Sequence, residues 1–191
     1  MSQVKFLRTA PPVGKAITLG KAKDHLNITQ NDDDAVISAI IDEATAWCEN
    51  YMGRPIVQQT WTRYLDCWTP VIYLPISPVA SVSVNYTDVN GQDVELPADQ
   101  YTTDLIAEPA LVVFTHDAEP PELADGFNTI RCDVVAGWPD AQSLPYTLTA
   151  AVKLMIGHLY ENREATTNAK IEELPAPFGV RTFLNSHRTN F

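Results

Sequence analysis

The spacing of apolar residues changes twice along this 191-residue chain, and that change limits the fold more than any other feature. Between residues 32 and 52 apolar side chains recur at helical spacing, which is typical of a helix packed on one side. From about residue 57 to 136 they alternate with polar ones, which indicates half-buried strands. The helical spacing returns at Pro145. We therefore predict an α+β fold: a small helical bundle of the N-terminal helices and the terminal helix, an inserted antiparallel β-module and an extended C-terminal arm.

Two helices are predicted before the β-module. The first lies in "TLGKAKDHL", with Thr18 as its N-cap. The second runs from about Asp32 to Met52 and ends at the stop signal formed by Gly53 and Pro55. Its apolar row includes Val36, so we expect that side chain to face the core.

Three consecutive carboxylates, Asp32, Asp33 and Asp34, mark the start of the second helix. They could bind a cation, but consecutive helical residues do not share a face. Carboxylates do stabilise a helix N-terminus, where backbone N–H groups lack partners. We therefore interpret them as capping the helix, with Asn31 or Asp32 as the N-cap.

The β-module carries several strand patterns. "SVSVNYT" places Val82, Val84 and Tyr86 on one face, and Asn90-Gly91 is a strong hairpin signal after it. "LVVF" and "TIRCDVVA" add strands, the second alternating from Ile130. Because proline removes a strand donor, the many prolines here fit short strands.

These patterns divide the chain into five parts. We predict a basic N-terminal arm over 1–16, a helical part over 17–56, the β-module over 57–142, the terminal helix over 143–169 and a C-terminal arm over 170–191.

Charge is unevenly spread over the chain, whose net charge is −11. Residues 1–23 and 174–191 contain basic residues and no acid, and the acids all lie between them. An acidic body repels a phosphate backbone. The two ends are either arms that dock on an acidic partner or ordinary solvated termini.

No pattern of catalytic or metal-binding residues stands out. Cys48, Cys67 and Cys132 form no CxxC pair, and we expect buried free thiols in a reducing cytoplasm. The four histidines are far apart, and none has a companion nucleophile at a motif spacing. We predict no cofactor, no metal, no signal peptide and no membrane span. Carboxylates are numerous, so counting alone leaves a glycosidase pair open.

The segment "AGWPDAQSLPYTLTAAVKLMIGHLYENRE" resembles the ending of tailed-bacteriophage head–tail connector (adaptor) proteins. In that family a Gly-aromatic turn precedes a Pro-initiated helix that ends in Tyr-Glu-x-Arg-Glu. "ITLGKAKDHLNI", "DDDAVISAIIDEATAWCENYMGRPIVQQTW" and "LPAPFGVRTFLNSHR" are similar to further parts of the family. The resemblance covers roughly residues 17–188.

The resemblance implies a structural virion protein of the neck, between capsid and tail, assembled in the bacterial cytoplasm. Such adaptors form a dodecameric ring beneath the portal, extend the DNA channel and provide a platform for stopper or tail proteins. Double-stranded DNA passes through without sequence-specific binding. Gene transfer agents use related adaptors, and the sequence leaves that setting open.

In a ring subunit, the terminal helix would bury one face in its own core and another against its neighbour. Its apolar surface is wider than the ~100° stripe of a helix packed on one side. A central helix of a monomeric core is the alternative interpretation. The residues that we predict to pack between subunits are Leu154, Gly157, His158, Tyr160 and Arg163.

The C-terminal arm is predicted to dock on the portal. It follows the Pro-rich break "LPAPFG", and its few apolar side chains could anchor in a groove of another protein. The predicted portal-binding residues are Phe178, Val180, Arg181, Phe183, Leu184 and Arg188. A solvated terminus is the alternative.

Two other classes of protein stay open at this point. One is another neck or tail-completion protein of a phage-like particle. The other is a carbohydrate-active enzyme, which would need a cleft with converging titratable groups.

Overall fold

The computed structural model describes residues 5–115, 119–162 and 177–189. The chain divides into two compact units, described here one at a time. The β-unit takes its residues from Met1–Val13 and Gln58–Gly137, and the helical unit from Gly14–Val57 and Trp138–Asn190. In chain order, the elements are β1 (Lys5–Ala10), α1 (Leu19–Leu26), α2 (Asp34–Met52), β2 (Gln59–Leu65), β3 (Val71–Leu74), β4 (Val79–Thr87), β5 (Asp93–Glu95), β6 (Tyr101–Asp104), β7 (Ala110–Phe114), β8 (Ile130–Ala136), α3 (Tyr146–Glu161) and α4 (Phe178–Asn185).

The β-unit contains two antiparallel sheets. Five strands lie in the order β1-β2-β8-β4-β5, and three in the order β3-β7-β6. Side chains of both sheets share one core, in which Ile72 and Val112 join Val84, Cys132 and Val134. The alternation predicted for β8 is confirmed, since Ile130, Cys132, Val134 and Ala136 are all buried.

The N-terminal segment differs from the predicted arm. Lys5–Ala10 forms β1, which pairs with β2 at the edge of the larger sheet. Arg8 donates to Gln59 over 3.3 Å, and Lys5 forms an ion pair with Asp66. Lys5 and Arg8 are therefore held by contacts inside the β-unit.

The helical unit has its own core, built from all four helices of the described chain. Thr18 caps α1 as predicted, accepting from the Lys21 N–H. The second helix begins at Asp34 rather than Asp32, and its N-cap Asp33 makes no side-chain capping bond. Instead Asp34 pairs with Lys23 at 2.7 Å, which fastens α1 to the start of α2.

Two side-chain predictions for α2 and the thiols are corrected. Val36 is exposed, because α2 packs through the neighbouring side that carries Ile37, Ile41 and Cys48. Cys67 is exposed as well, whereas Cys48 and Cys132 are buried.

The C-terminal segment is not extended where it is described. Residues 178–185 form α4, which packs on α3 and α2. Among the described residues, the helices are too short or too polar to cross a membrane.

Candidate interaction surfaces

The terminal helix α3 is contacted by α1, α2 and α4 of its own unit. Leu148, Ala151, Val152, Met155 and Ile156 are buried there. The wide apolar surface seen in the sequence is thus largely covered within the chain. The prediction that part of this surface packs on a neighbouring subunit followed from the family resemblance, and within the described chain α4 covers part of that surface.

Gly157 faces α1. A Cβ atom built on Gly157 would lie 3.7 Å from Nε2 of His25, which is an ordinary van der Waals distance. The glycine therefore lies at a helix–helix contact inside the helical unit, and that contact has room for one methyl group.

The remaining predicted packing residues occupy different environments. Leu154 is 38% exposed. His158 accepts a 3.4 Å bond at Nδ1 from the Asn162 amide. The Tyr160 hydroxyl donates to Asp33 at 2.5 Å, which links the end of α3 to the start of α2. Arg163 lies outside the described residues.

The predicted portal-binding residues are divided by the fold. Val180 and Leu184 are fully buried in the core of the helical unit, and Phe183 packs partly against it. Val180 and Leu184 are therefore unavailable to a partner while α4 is packed. Arg181 and Arg188 are exposed. The Phe178 side chain lies outside the described part of the structure.

Side chains after α4 fasten the end of the described chain to α2 and α3. Thr189 donates from its backbone N–H and from its hydroxyl to the Met52 carbonyl, at 3.0 and 3.1 Å. The Tyr51 hydroxyl donates to Asn185 at 2.9 Å, and the Arg188 guanidinium lies 5.8 Å from the centre of the Tyr51 ring. This part of the chain is built into the helical unit.

Few apolar side chains of the helical unit reach solvent. Tyr146 is 77% exposed at the start of α3, and Val36 and Leu154 are exposed on α2 and α3. Sequence reasoning missed Tyr146, although its place beside Pro145 at the helix start was visible. In the described part of the helical unit, these three are the large apolar side chains that stay exposed to solvent.

The geometry offers little for catalysis in the described part of the chain. There, no group of three or more His, Cys, Asp or Glu side chains could hold a metal ion. Burial raises the pKa of the Cys48 and Cys132 thiols to about 12, so neither supplies a thiolate nucleophile near neutral pH. His116 and Arg163 lie outside the described residues.

Comparison with known proteins finds a family model that matches part of the chain and solved structures that share its fold. The family model of phage gp6-like head-tail connector proteins matches residues 16–94. Chains from three solved particles share the fold over nearly the full length, whereas no curated protein matches the chain in sequence.

The structural likeness covers both units. A chain from the neck of an empty GTA particle has a TM-score of 0.77 at 22% identity, covering 98% of this chain and 96% of its own. A chain from the virion of a native gene transfer agent (GTA) particle has a TM-score of 0.73 at 24% identity, with 97% and 96% covered. A chain from the neck of a native GTA particle has a TM-score of 0.70 at 24% identity, covering 96% of this chain and 96% of its own.

At these identities the likeness shows a common fold. Together with the family match, it confirms the predicted resemblance to head–tail connector proteins. The family model matches the part of the chain from before α1 into β5, and the common fold extends over both units.

Proposed function

We propose that this protein is a head–tail adaptor of a tailed phage or gene transfer agent. Twelve copies form a ring beneath the portal, extend the DNA channel and provide a platform for the stopper or tail proteins. The observation that carries this proposal is the fold match to neck chains, which spans both units of the protein.

The charge of the β-unit supports a role beside DNA without binding to it. Residues 58–137 contain twelve acidic side chains and two arginines, and residues 5–13 add Lys5 and Arg8 to the unit. One arginine, Arg131, pairs with Asp93 at 3.0 Å, and Arg63 is half-buried. A surface of this charge repels phosphate, so DNA can slide past it.

Contact between copies is assigned to the exposed apolar side chains of the helical unit. Tyr146 and Leu154 on α3, with Val36 on α2, are the large apolar side chains that stay exposed in the described part of this unit, and Leu154 is the least exposed of them at 38%. Tyrosine is enriched in the centres of protein interfaces. The earlier candidates Gly157 and Tyr160 contribute indirectly, by fixing α3 against α1 and α2.

Contact with the portal is assigned to the exposed part of the C-terminal segment. Arg181 and Arg188 are available to an acidic partner, whereas Val180 and Leu184 support α4 from within. Deleting residues 174–191 would remove core side chains, so it would confuse portal binding with folding. Charge reversal of Arg181 is the cleaner variant, with Lys153→Glu on α3 as a matched control.

Complementation of incomplete particles tests the function. DNA-filled heads made without this protein should lack tails, and adding the purified protein with tails should restore joined particles. The Arg181→Glu variant should fold normally but should restore fewer joined particles than the parent protein does. If heads lacking the protein join tails as well as complete ones do, the proposal is wrong.

The enzyme alternative predicts a different outcome. His158 lies one turn before Asn162 on α3, and both its ring Nδ1 and its carbonyl accept from the Asn162 amide. We expect His158→Gln to restore tail joining fully. Loss of joining by a variant that keeps its fold and its ring would favour a chemical role.

A further inference from the structure

Three loops are tied together at one end of the β-unit. They are residues 66–70 after β2, residues 87–92 from the last residue of β4 onward, and residues 119–129 before β8. Trp68 donates from Nε1 to the Pro121 carbonyl at 2.8 Å. Thr87 exchanges backbone bonds with two residues of the third loop, at 2.8 and 3.0 Å, and Asp88 bridges to Leu123. We call these three loops the tip.

The tip presents one aromatic side chain to solvent. Phe127 is 82% exposed. It lies between two residues with positive φ, Gly126 at +138° and Asn128 at +62°. Asparagine adopts this left-handed conformation more readily than most residues that have a side chain, and neighbouring groups support it here.

That support comes from Asp66. Its carboxylate accepts from the Asn128 N–H at 2.7 Å and from the Lys5 ammonium at 3.0 Å. Lys5 also donates to the Asn128 side chain and lies 5.4 Å from the centre of the Phe127 ring. The hydrogen bond from the Asn128 N–H, with a smaller contribution from the Lys5 hydrogen bond, holds the pKa of Asp66 below its usual value. Lys5 of β1 and Asp66 of the loop after β2 thus fix the backbone that carries Phe127.

A single exposed apolar residue is ordinary on a protein surface. The difference here is that Phe127 stands on a backbone already held in place, so little conformational entropy is lost when it is buried. Aromatic side chains of this kind serve as anchors at the centres of protein interfaces.

The charge around the anchor limits its partner. The tip and the adjoining β5 carry seven acids and no base of their own: Asp66, Asp88, Asp93, Glu95, Glu119, Glu122 and Asp125. Lys5 and Arg131 each pair with one of them. This surface disfavours nucleic acid and also disfavours a second copy of this acidic chain.

We propose that the tip is the platform for the next protein of the neck, with Phe127 entering an apolar pocket ringed by lysine or arginine on the stopper. This inference rests on the proposed adaptor function and names the surface that carries its tail-side contact. The acidic side chains around Phe127 attract a basic partner and fix its orientation. Burial of the Phe127 ring in the partner's pocket then stabilises the complex.

The test compares Phe127→Ala with Tyr73→Ala, since Tyr73 is another exposed aromatic, on β3. Binding to the purified stopper of the same particle, binding to portal and ring assembly are measured separately. Phe127→Ala should weaken stopper binding roughly tenfold or more, and leave portal binding and the ring unchanged. Tyr73→Ala should bind as the parent does. The double variant Glu122→Gln, Asp125→Asn should weaken stopper binding and reduce its salt dependence.

Two results overturn the inference alone. The first is that Phe127→Ala binds the stopper as the parent does. The second is that Phe127→Ala loses portal binding or ring assembly instead of stopper binding, which would assign the tip to the portal contact or to the contact between copies. If the parent protein binds neither portal nor stopper, the proposed function itself fails and the inference falls with it.

Discussion

His187 lies 2.7 Å from Thr147, measured from Nε2 to Oγ1, and joins the residues after α4 to the first turn of α3. Burial, with a smaller contribution from Arg54, lowers the pKa of this imidazole from its usual 6.5. The folded chain therefore favours neutral His187, while the unfolded chain takes up a proton more readily.

This difference predicts a loss of stability in mild acid. As pH falls through about 6.5, the unfolded state binds the proton first, so the free energy of unfolding decreases until the folded-state pKa is passed. Urea unfolding at several pH values measures this. The His187→Gln variant should lack the part of the pH dependence between those two pKa values, and an identical profile for parent and variant would contradict the assignment.

The Gly157 position predicts opposite effects for two substitutions. Gly157→Ala should raise the free energy of unfolding by about 0.5–1 kcal/mol, because alanine favours helix and its methyl group fits beside His25. Gly157→Leu should lower it by about 1–3 kcal/mol by pushing against α1. Thermal and denaturant unfolding measure both. Equal stability of all three proteins would mean that α1 does not pack at this position.

The burial of α4 predicts that its apolar side chains stabilise the fold. Leu184→Ala should cost about 2–5 kcal/mol, since Leu184 is fully buried. The matched control is Leu154→Ala on the exposed side of α3, which should cost much less. If Leu184→Ala leaves stability unchanged, α4 is not part of the core in solution.

The three thiols should differ sharply in reactivity. Cys67 is exposed, whereas burial raises the pKa of Cys48 and Cys132 to about 12. Under native conditions a thiol reagent near pH 8 should modify one cysteine per chain, and mass spectrometry should locate it at Cys67. All three should react in denaturant. Rapid native labelling of Cys132 would contradict the buried position of β8.

Local patterns predicted the central elements well. The alternation of β8, the Asn90-Gly91 hairpin and the helical spacing of α2 each report burial on one face, which the sequence encodes directly. Strand β1 was missed because an edge strand with exposed Leu7 lacks such alternation and depends on pairing with distant β2. Helix α4 was missed for a related reason. Its stability comes from burying Val180 and Leu184, which tertiary contacts decide.

The tip shows the same limit for a candidate functional surface. Phe127 lies in an irregular loop, and its presentation depends on a bond between Asp66 and Asn128, which are 62 positions apart. A sequence pattern shows neither that pairing nor the exposure of the ring.

Subunit stoichiometry on the portal tests the central claim most directly. The purified protein is mixed with portal, and the complex is weighed by native mass spectrometry and imaged along the ring axis. We expect a closed ring of twelve copies of this chain on one face of the portal. Binding as a monomer, or no association with portal at all, would contradict the adaptor function.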